Sequence, residues 1–309
     1  MEYNGRFNKG NLYHLDLDDS YFIPNGIEFY GDMSFSKAGI LYSDLVTTVS
    51  KSYANEIQTT QYGFGYEGLL KQKSMQGKLI GIVNSIDYEE YNPECDKELS
   101  KNYNVESIEF KKENKKFLQK KLGLKVKNVP LLAVVSRVVQ HKGFDILVEG
   151  MNEILKKDIQ LVVLGVGEQH YINRLEYLSE KYPGKISINN YFDHDLAKQI
   201  YAGSDIFLMP SVFEPCGLSQ LISFRYGTIP VVRSTGGLRD TVIGYLSDKE
   251  KGNGFTFWGN NVEDFVTVTN KALEIYDNKD EWKTLAARVM ELDFSWQGPA
   301  KEYAKLYEN

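Results

Sequence analysis

Three charged side chains have the types and positions needed to bind a phosphorylated ligand. Arg137 and Lys142 follow the apolar run Leu131–Val135, and Glu214 follows the run Ile206–Met209. A guanidinium grips phosphate oxygens with its planar fork, and an ammonium attracts them as a point charge. We therefore predict a pyrophosphate site at Arg137 and Lys142, with an ordinary pair of surface cations as the alternative.

The turn Glu214–Gly217 is the second feature with a chemical signature. Its proline fixes the backbone, its glycine lets the chain approach a ligand closely, and its carboxylate stands where a ligand would lie. Capping of the next helix by Glu214 is the alternative. Cys216 is expected to be a small packing residue and not a nucleophile, because no histidine is adjacent in the sequence.

Two glycine-containing turns and an aromatic pair complete the candidate residues. The segment Ser234–Gly237 has the form of a helix start, whose free N–H groups and partial positive charge suit phosphate. Gly165 belongs to a Gly-Val-Gly turn, which tight-turn geometry explains as well as a ligand does. Tyr191 and Phe192 are able to stack on a base, although packing in the core is the favoured interpretation of each.

A parallel sheet is needed to bring these residues together. Apolar runs at 131–135, 160–164, 206–209 and 229–232 alternate with amphipathic segments, as in repeated βαβ units, and a weaker run at 186–188 adds a strand. Residues 129–290 are therefore predicted to form an α/β domain with a doubly wound parallel sheet. Ligands bind outside the carboxyl ends of the strands in such a sheet.

The N-terminal part of the chain is less regular. Residues 1–40 contain no clear buried strand to start a sheet, and only the runs 45–49 and 79–83 have the pattern of strands. Ser50 is expected to cap a helix over 51–57, and a glycine-rich loop follows. Two strands do not make a stable open sheet by themselves.

A polar, charged segment over residues 84–130 reads as a connector. Within it the lysine-rich stretch 111–124 is predicted to form a solvated helix, with Phe117, Leu118, Leu122 and Leu124 on its buried side.

The composition argues against several classes of protein. A net charge of −6 and a pI of about 5.4 do not suit a nucleic-acid surface, which needs a concentrated basic face. Two cysteines and four scattered histidines give neither a disulfide framework nor metal-ligand spacing. No apolar run approaches the ~20 residues of a membrane span, and no signal segment follows Met1. We therefore expect an intracellular protein with no metal, nucleic-acid or membrane partner.

The segments SRVVQHKGFD, QLVVLGVGE, YAGSDIFLMPSVFEPCGLSQL and RYGTIPVVRSTGGLRDTV resemble, in order and spacing, the bacterial glycogen synthase and plant starch synthase family. The N-terminal FYGDMSFSKAGILYSDLVTTVSKSYANEIQ and the closing DFSW are similar to the family as well. The resemblance implies a GT-B fold of two Rossmann-like domains and a retaining glucosyltransferase. ADP-glucose would bind mainly to the C-terminal domain, and an α-1,4-glucan would meet the N-terminal one.

The resemblance also assigns roles to single residues. Arg137 and Lys142 match the cations that bind the donor diphosphate, and Glu214 matches the active-site glutamate. The remaining donor-binding positions are the family's asparagine, a glycine turn, the residue beside adenine, and two backbone turns that contact glucose and phosphates: Asn84, Gly165, Phe192, Cys216, Gly217, Leu218, Thr235, Gly236 and Gly237. Two departures are Ser85, where the family usually has glycine, and Phe192, where a tyrosine often stacks on the base.

Domain limits follow from the same resemblance. Residues 1–84 would be a remnant of the N-terminal domain, and residues 85–290 the nucleotide-sugar-binding domain with a connector over 85–128. Residues 291–309 would form a helix that packs back on the N-terminal part. Family members carry a strand, a lysine-glycine-glycine loop and an active-site histidine before the segment that resembles Glu2–Gly5, so a synthase lacking roughly the first third of its N-terminal domain is expected.

The predicted function is therefore that of a glycogen or starch synthase, with weak donor binding and impaired transfer. It would use ADP-glucose without a cofactor, in the bacterial cytoplasm or, for a plant protein, in a plastid. A separate N-terminal part or a second copy would be its protein partner. The alternatives are a noncatalytic nucleotide-sugar or glucan-binding protein and a GT-B transferase that uses UDP-glucose.

Overall fold

The computed structural model describes residues 5–308, which divide into two compact units, one ending at Val83 and the other beginning at Asn84. The segment Glu2–Asn4, which carries part of the resemblance, lies outside the described residues. Within residues 5–83, the first unit contains five strands, four α-helices and two short 3-10 helices: β1 (Arg6–Phe7), β2 (Glu28–Phe29), β3 (Asp32–Ser34), β4 (Val46–Thr48), β5 (Leu79–Gly81), α1 (Phe35–Tyr42), α2 (Lys51–Glu56), α3 (Thr60–Gly63), α4 (Glu67–Met75), Lys9–Leu15 and Asp19–Tyr21.

Two small sheets form in the first unit. Strands β4 and β5 pair in parallel, which confirms both predicted strands, and β1, β3 and β2 form an antiparallel sheet. Residues 1–40, in which no clear buried strand was expected, therefore do contain three strands, each of only two or three residues, and β1 is exposed. Strands of two or three residues are too short to show the alternation by which a strand is recognised in a sequence.

Local signals in this unit were more informative. The hydroxyl oxygen of Ser50 accepts a hydrogen bond from the Tyr53 N–H at 2.9 Å, which confirms the predicted helix cap. The predicted glycine-rich loop is mostly helical instead, because only three residues separate α3 from α4, namely Phe64 and Gly65, which have positive φ, and Tyr66. A core formed by Phe29, Tyr53, Ile57, Tyr66 and Leu70 holds these elements together.

The second unit is larger and regular. It contains six strands, nine α-helices and two 3-10 helices among the described residues: β6 (Leu131–Val135), β7 (Gln160–Leu164), β8 (Ile186–Asn189), β9 (Ile206–Met209), β10 (Ile229–Arg233), β11 (Phe255–Phe257), α5 (Lys111–Lys121), α6 (Phe144–Ile154), α7 (Gln169–Lys181), α8 (His194–Gly203), α9 (Ser219–Arg225), α10 (Gly236–Thr241), α11 (Val262–Asp277), α12 (Lys279–Met290), α13 (Gln297–Tyr307), Ile108–Phe110 and Gln140–Lys142.

The six strands form one parallel sheet in the order β11-β10-β9-β6-β7-β8. This order confirms the predicted doubly wound sheet, including the weaker strand at 186–188. The direction of winding reverses between β6 and β9, and ligands bind outside the carboxyl ends of strands at such a switch point. A binding site is therefore expected at the turns that follow these two strands.

Helices cover the sheet with the apolar faces that their periodicity predicts. On α6, the side chains of Phe144, Leu147, Met151 and Ile154 are buried, and α7 buries Ile172, Leu175 and Leu178. The second unit also includes α13, whose predicted packing on the N-terminal part stays a prediction.

Helix α5 departs from its prediction. Leu118 and Leu124 are buried as expected, but Phe117 is 38% exposed. Lys115 is buried, and its ammonium lies 2.6 Å from the carboxylate of Asp205. The prediction of a solvated lysine face is wrong for this side of the helix, because a long lysine stem lets the ammonium reach an internal partner.

Candidate nucleotide-sugar site

The candidate site is built by the turns that follow β6 and β9, on the two sides of the switch point. After β6, the chain runs through Arg137 to Gly143, where φ is +78° and a side chain would clash with the carbonyl oxygen of Pro210. Glycine at this position therefore lets the first turn lie against the second. The Val212 N–H donates to the carbonyl of His141 at 2.9 Å and joins the two turns directly.

Lys142 and Glu214 meet across these turns. The ammonium Nζ of Lys142 lies 2.7 Å from Oε2 of Glu214, and the hydroxyl of Ser211 donates to the same oxygen at 3.1 Å. Glu214 is only 6% exposed, so its charge needs such partners. The alternative that Glu214 caps the next helix is not what the structure shows, since α9 begins without a side-chain cap.

Arg137 lies on the open side of the first turn. It is exposed, and its Nη2 is 3.4 Å from Nε2 of His141, whose ring stacks on Phe213 at a centroid distance of 5.0 Å. The structure thus brings Arg137, Lys142 and Glu214 to one edge of the sheet, where the ammonium of Lys142 contacts the buried carboxylate of Glu214.

Cys216 and Asn84 also come together. The backbone of Asn84 hydrogen-bonds the Cys216 thiol, and burial is the main cause that raises the pKa of this thiol to about 11. The expectation that Cys216 packs and does not act as a nucleophile agrees with this environment, because the thiolate is the reactive form.

The glycine turns bring backbone close to the same place. Gly217 has a φ of +74° and Gly236 a φ of +46°, which side chains rarely adopt. A side chain at Gly237 would stand 2.1 Å from the carbonyl oxygen of Cys216. The N–H of Gly237 donates to the carbonyl of Glu214 at 3.0 Å, so this donor, which we expected to face phosphate, is engaged within the protein.

Glu214, Lys142, Gly217 and Leu218 line one small cavity of about 70 Å³ at the carboxyl ends of β6 and β9. The other candidates lie further along the same edge of the sheet. Gly165 follows β7, where a side chain would collide with the carbonyl of Ser136.

Phe192 follows β8 and is 85% exposed, and Tyr191 beside it is 48% exposed. The core packing that we favoured for these two aromatic residues is therefore wrong. An exposed ring at the carboxyl edge of a parallel sheet is available to a ligand.

Arg233 is a residue of this region that the sequence did not single out. It is buried at the end of β10, and its guanidinium donates to the carbonyls of Ser211 and Val212, and to that of Trp258 at 3.4 Å. Arg233 therefore fixes the backbone that leads into Glu214. The sequence feature that could have identified Arg233 is an arginine at the end of an otherwise apolar strand.

No helix within 5–308 is both long and apolar enough to cross a membrane. Nor do three or more histidine, cysteine, aspartate or glutamate side chains in that range gather in a way that could hold a metal ion.

Comparison with known proteins gives the family. Residues 114–289, more than half of the chain, match the family model described as Glycosyl transferases group 1, and residues 1–72 match Starch synthase catalytic domain. Glycogen synthases from Fervidobacterium nodosum and Desulforudis audaxviator are 49% and 46% identical over 308 and 310 residues. Each alignment covers 100% of this chain but 63% and 62% of the relative, so the chain spans less than two thirds of the curated relatives' length.

The likeness extends to a solved structure. The catalytic domain of starch synthase IV from Arabidopsis thaliana, solved with ADP and acarbose bound, matches with a TM-score of 0.94 and 34% identity over 99% of this chain and 64% of that one. This match confirms the GT-B fold. The chain therefore belongs to the group 1 glycosyltransferases, and it is similar over its whole length to glycogen and starch synthases.

Proposed function

We propose that this chain carries the donor site of a glycogen synthase, which transfers glucose from ADP-glucose to the non-reducing 4-hydroxyl of an α-1,4-glucan with retention. The observation that carries the proposal is the 2.7 Å pair of Lys142 and Glu214 at the switch point of the sheet. The names of the relatives support it, as does the ADP in the starch synthase IV structure.

Arg137 and Lys142 are assigned to the diphosphate. Negative charge develops on the leaving diphosphate as the bond to glucose breaks, and cations held in place before the reaction stabilise it without reorganising. Lys142 stands on one side of Glu214 at the base of the site, while the exposed Arg137 is free to close over the phosphates from outside.

Glu214 is assigned to the glucosyl unit. The transition state of transfer resembles an oxocarbenium ion, as in other glycoside chemistry, and a buried carboxylate favours positive charge on the sugar. A side chain at Gly217 would collide with Gln220 and one at Gly237 with the carbonyl of Cys216, so glycine lets this backbone pack closely. The backbone of Cys216, Gly217 and Leu218 is assigned to the sugar hydroxyls.

The nucleotide end of the donor is assigned to the β7–β8 side of the sheet. Gly165 gives the backbone close approach there, and the exposed ring of Phe192 offers a stacking surface for adenine. The proposal needs no cofactor, because the glucosyl group arrives already bonded to its leaving group. We place the protein in the cytoplasm, where its bacterial relatives would find this donor.

A transfer assay tests the proposal. We expect radioactivity from ADP-[14C]glucose to be incorporated slowly into glycogen, in line with the impaired transfer expected above. A Glu214→Gln variant should lose at least about 100-fold of that rate, the magnitude of a lost preorganised electrostatic contact. Glu153→Gln is the control, since Glu153 is exposed and pairs only with Lys156 one turn away among the contacts described.

Two results would contradict parts of the proposal. Faster incorporation from UDP-glucose would overturn the assigned donor. Binding of ADP-glucose without any incorporation would instead favour a nucleotide-sugar-binding protein.

A further inference from the structure

An indole ring at the carboxyl edge of the sheet has no role in the donor site described above. Trp258 follows β11 directly and is 65% exposed. A single exposed apolar side chain is common on protein surfaces and needs no function by itself. What sets Trp258 apart is its position and the way in which its ring is held.

The position is fixed through Arg233. One guanidinium donates both to the carbonyl of Trp258 and to the carbonyls of Ser211 and Val212, the residues that lead into Glu214. The Ser234 N–H also donates to the carbonyl of Phe257 at 2.7 Å. Trp258 is therefore tied to the same backbone that carries the buried carboxylate.

The ring is held by a second arginine. The guanidinium carbon of Arg239 lies 4.8 Å from the centre of the indole, and its Nη2 donates to the carbonyl of Ser234 at 3.2 Å. A cation over one face of an indole is attracted by the ring's quadrupole. The ring is thus oriented before any ligand arrives, which lowers the entropic cost of binding.

The proposed orientation of the donor leaves the β10–β11 end of the sheet's carboxyl edge open to the acceptor. In the proposed function, on which this inference rests, adenine lies at β7–β8 and glucose at Glu214. The strands continue from β9 through β10 to β11 on the opposite side. A glucan that continues from the glucosyl group along that side of the sheet would reach Trp258, in addition to the contacts expected with the N-terminal domain.

We propose that Trp258 forms a stacking subsite for an α-1,4-glucan, on the side of the site opposite to the base. The flat face of an indole packs against the C–H face of a glucosyl ring and gives affinity without a net charge on the ligand. Trp and Arg are also the residue types most enriched where truncation costs binding energy.

Titration of the full chain with maltoheptaose tests this subsite. We expect the sugar to quench tryptophan fluorescence in the wild type, and Trp258→Ala to weaken binding of maltoheptaose, measured by calorimetry, by about tenfold. Trp258→Tyr should restore most of the affinity, because a tyrosine ring also stacks on sugar. Trp296→Ala is the matched control, since that tryptophan is 44% exposed and lies elsewhere, at the start of α13.

A second titration separates this inference from the proposed function. Calorimetry with ADP-glucose should give the same affinity in the wild type and in Trp258→Ala, because the carbonyl that bonds Arg233 belongs to the backbone. Unchanged maltoheptaose affinity in Trp258→Ala, or no binding by the wild type, would overturn the subsite whatever the donor result. Equal loss in Trp296→Ala would also overturn it.

Discussion

The carboxylate of Glu214 and the ammonium of Lys142 each provide the opposite charge that the other needs in a partly buried position. A carboxylate that is 6% exposed is costly without a partner, and an ammonium at 2.7 Å with a hydroxyl at 3.1 Å satisfies it. A diphosphate that binds beside them would share the lysine. We infer that the pair holds both groups in position for the donor, which is the kind of preorganisation that catalysis requires.

The thiol of Cys216, close to Glu214 in the sequence, should be unreactive. Because burial raises the pKa of Cys216 to about 11, well under one thiol in a thousand is ionised at pH 7.5. Iodoacetamide should therefore modify the exposed Cys95 and leave Cys216 unmodified, as measured by mass spectrometry of peptides. The rate at Cys216 should rise about tenfold for each pH unit below its pKa.

Cys95 is the internal control for reagent and folding. Labelling of both cysteines at similar rates at pH 7.5 would mean that Cys216 is neither buried nor protonated.

Two adjacent lysines of helix α5 should differ in what they contribute to stability. Lys115 pairs with Asp205 in the interior, whereas the next residue, Lys116, pairs with Glu113 on the surface. Removal of one partner from a buried pair leaves an uncompensated charge, so Lys115→Met should lower the free energy of unfolding by about 3–5 kcal/mol. Lys116→Met should change it by less than about 1 kcal/mol.

Urea unfolding followed by tryptophan fluorescence measures this difference. All three tryptophans, Trp258, Trp282 and Trp296, lie in the second unit, so the signal reports that unit alone. Equal destabilisation by the two substitutions would contradict the buried pair, and Lys115→Met with Asp205→Asn should cost less than the sum of the single changes.

Strands and helices with a strong hydrophobic pattern could be predicted from the sequence, and those without one could not. Strands β6, β7 and β9 have the predicted bounds because buried parallel strands are continuous apolar runs. Strand β11 was missed, since Phe255–Phe257 is a three-residue run at the edge of the sheet. The buried side of α5 was misread because a lysine pattern does not tell which ammonium finds an internal partner.

At the scale of the molecule, the candidate site joins residues from several turns. The predicted parallel sheet placed the turns holding Arg137, Lys142 and Glu214 at one edge, because all parallel strands end on the same side. The sequence did not indicate Arg233 or Trp258. Their roles depend on which carbonyls and which ring face each other in space, and no periodicity encodes that.

We infer that the carboxyl edge of the six-stranded sheet binds ADP-glucose around Lys142 and Glu214. Isothermal titration of the chain with ADP-glucose tests it most directly, with Lys142→Ala and the surface control Lys156→Ala measured alongside. We predict saturable one-to-one binding, at least about tenfold weaker in Lys142→Ala because a charge-assisted contact is lost, unchanged in Lys156→Ala, and weaker for UDP-glucose. No binding of ADP-glucose, or equal affinity in Lys142→Ala, would contradict the claim.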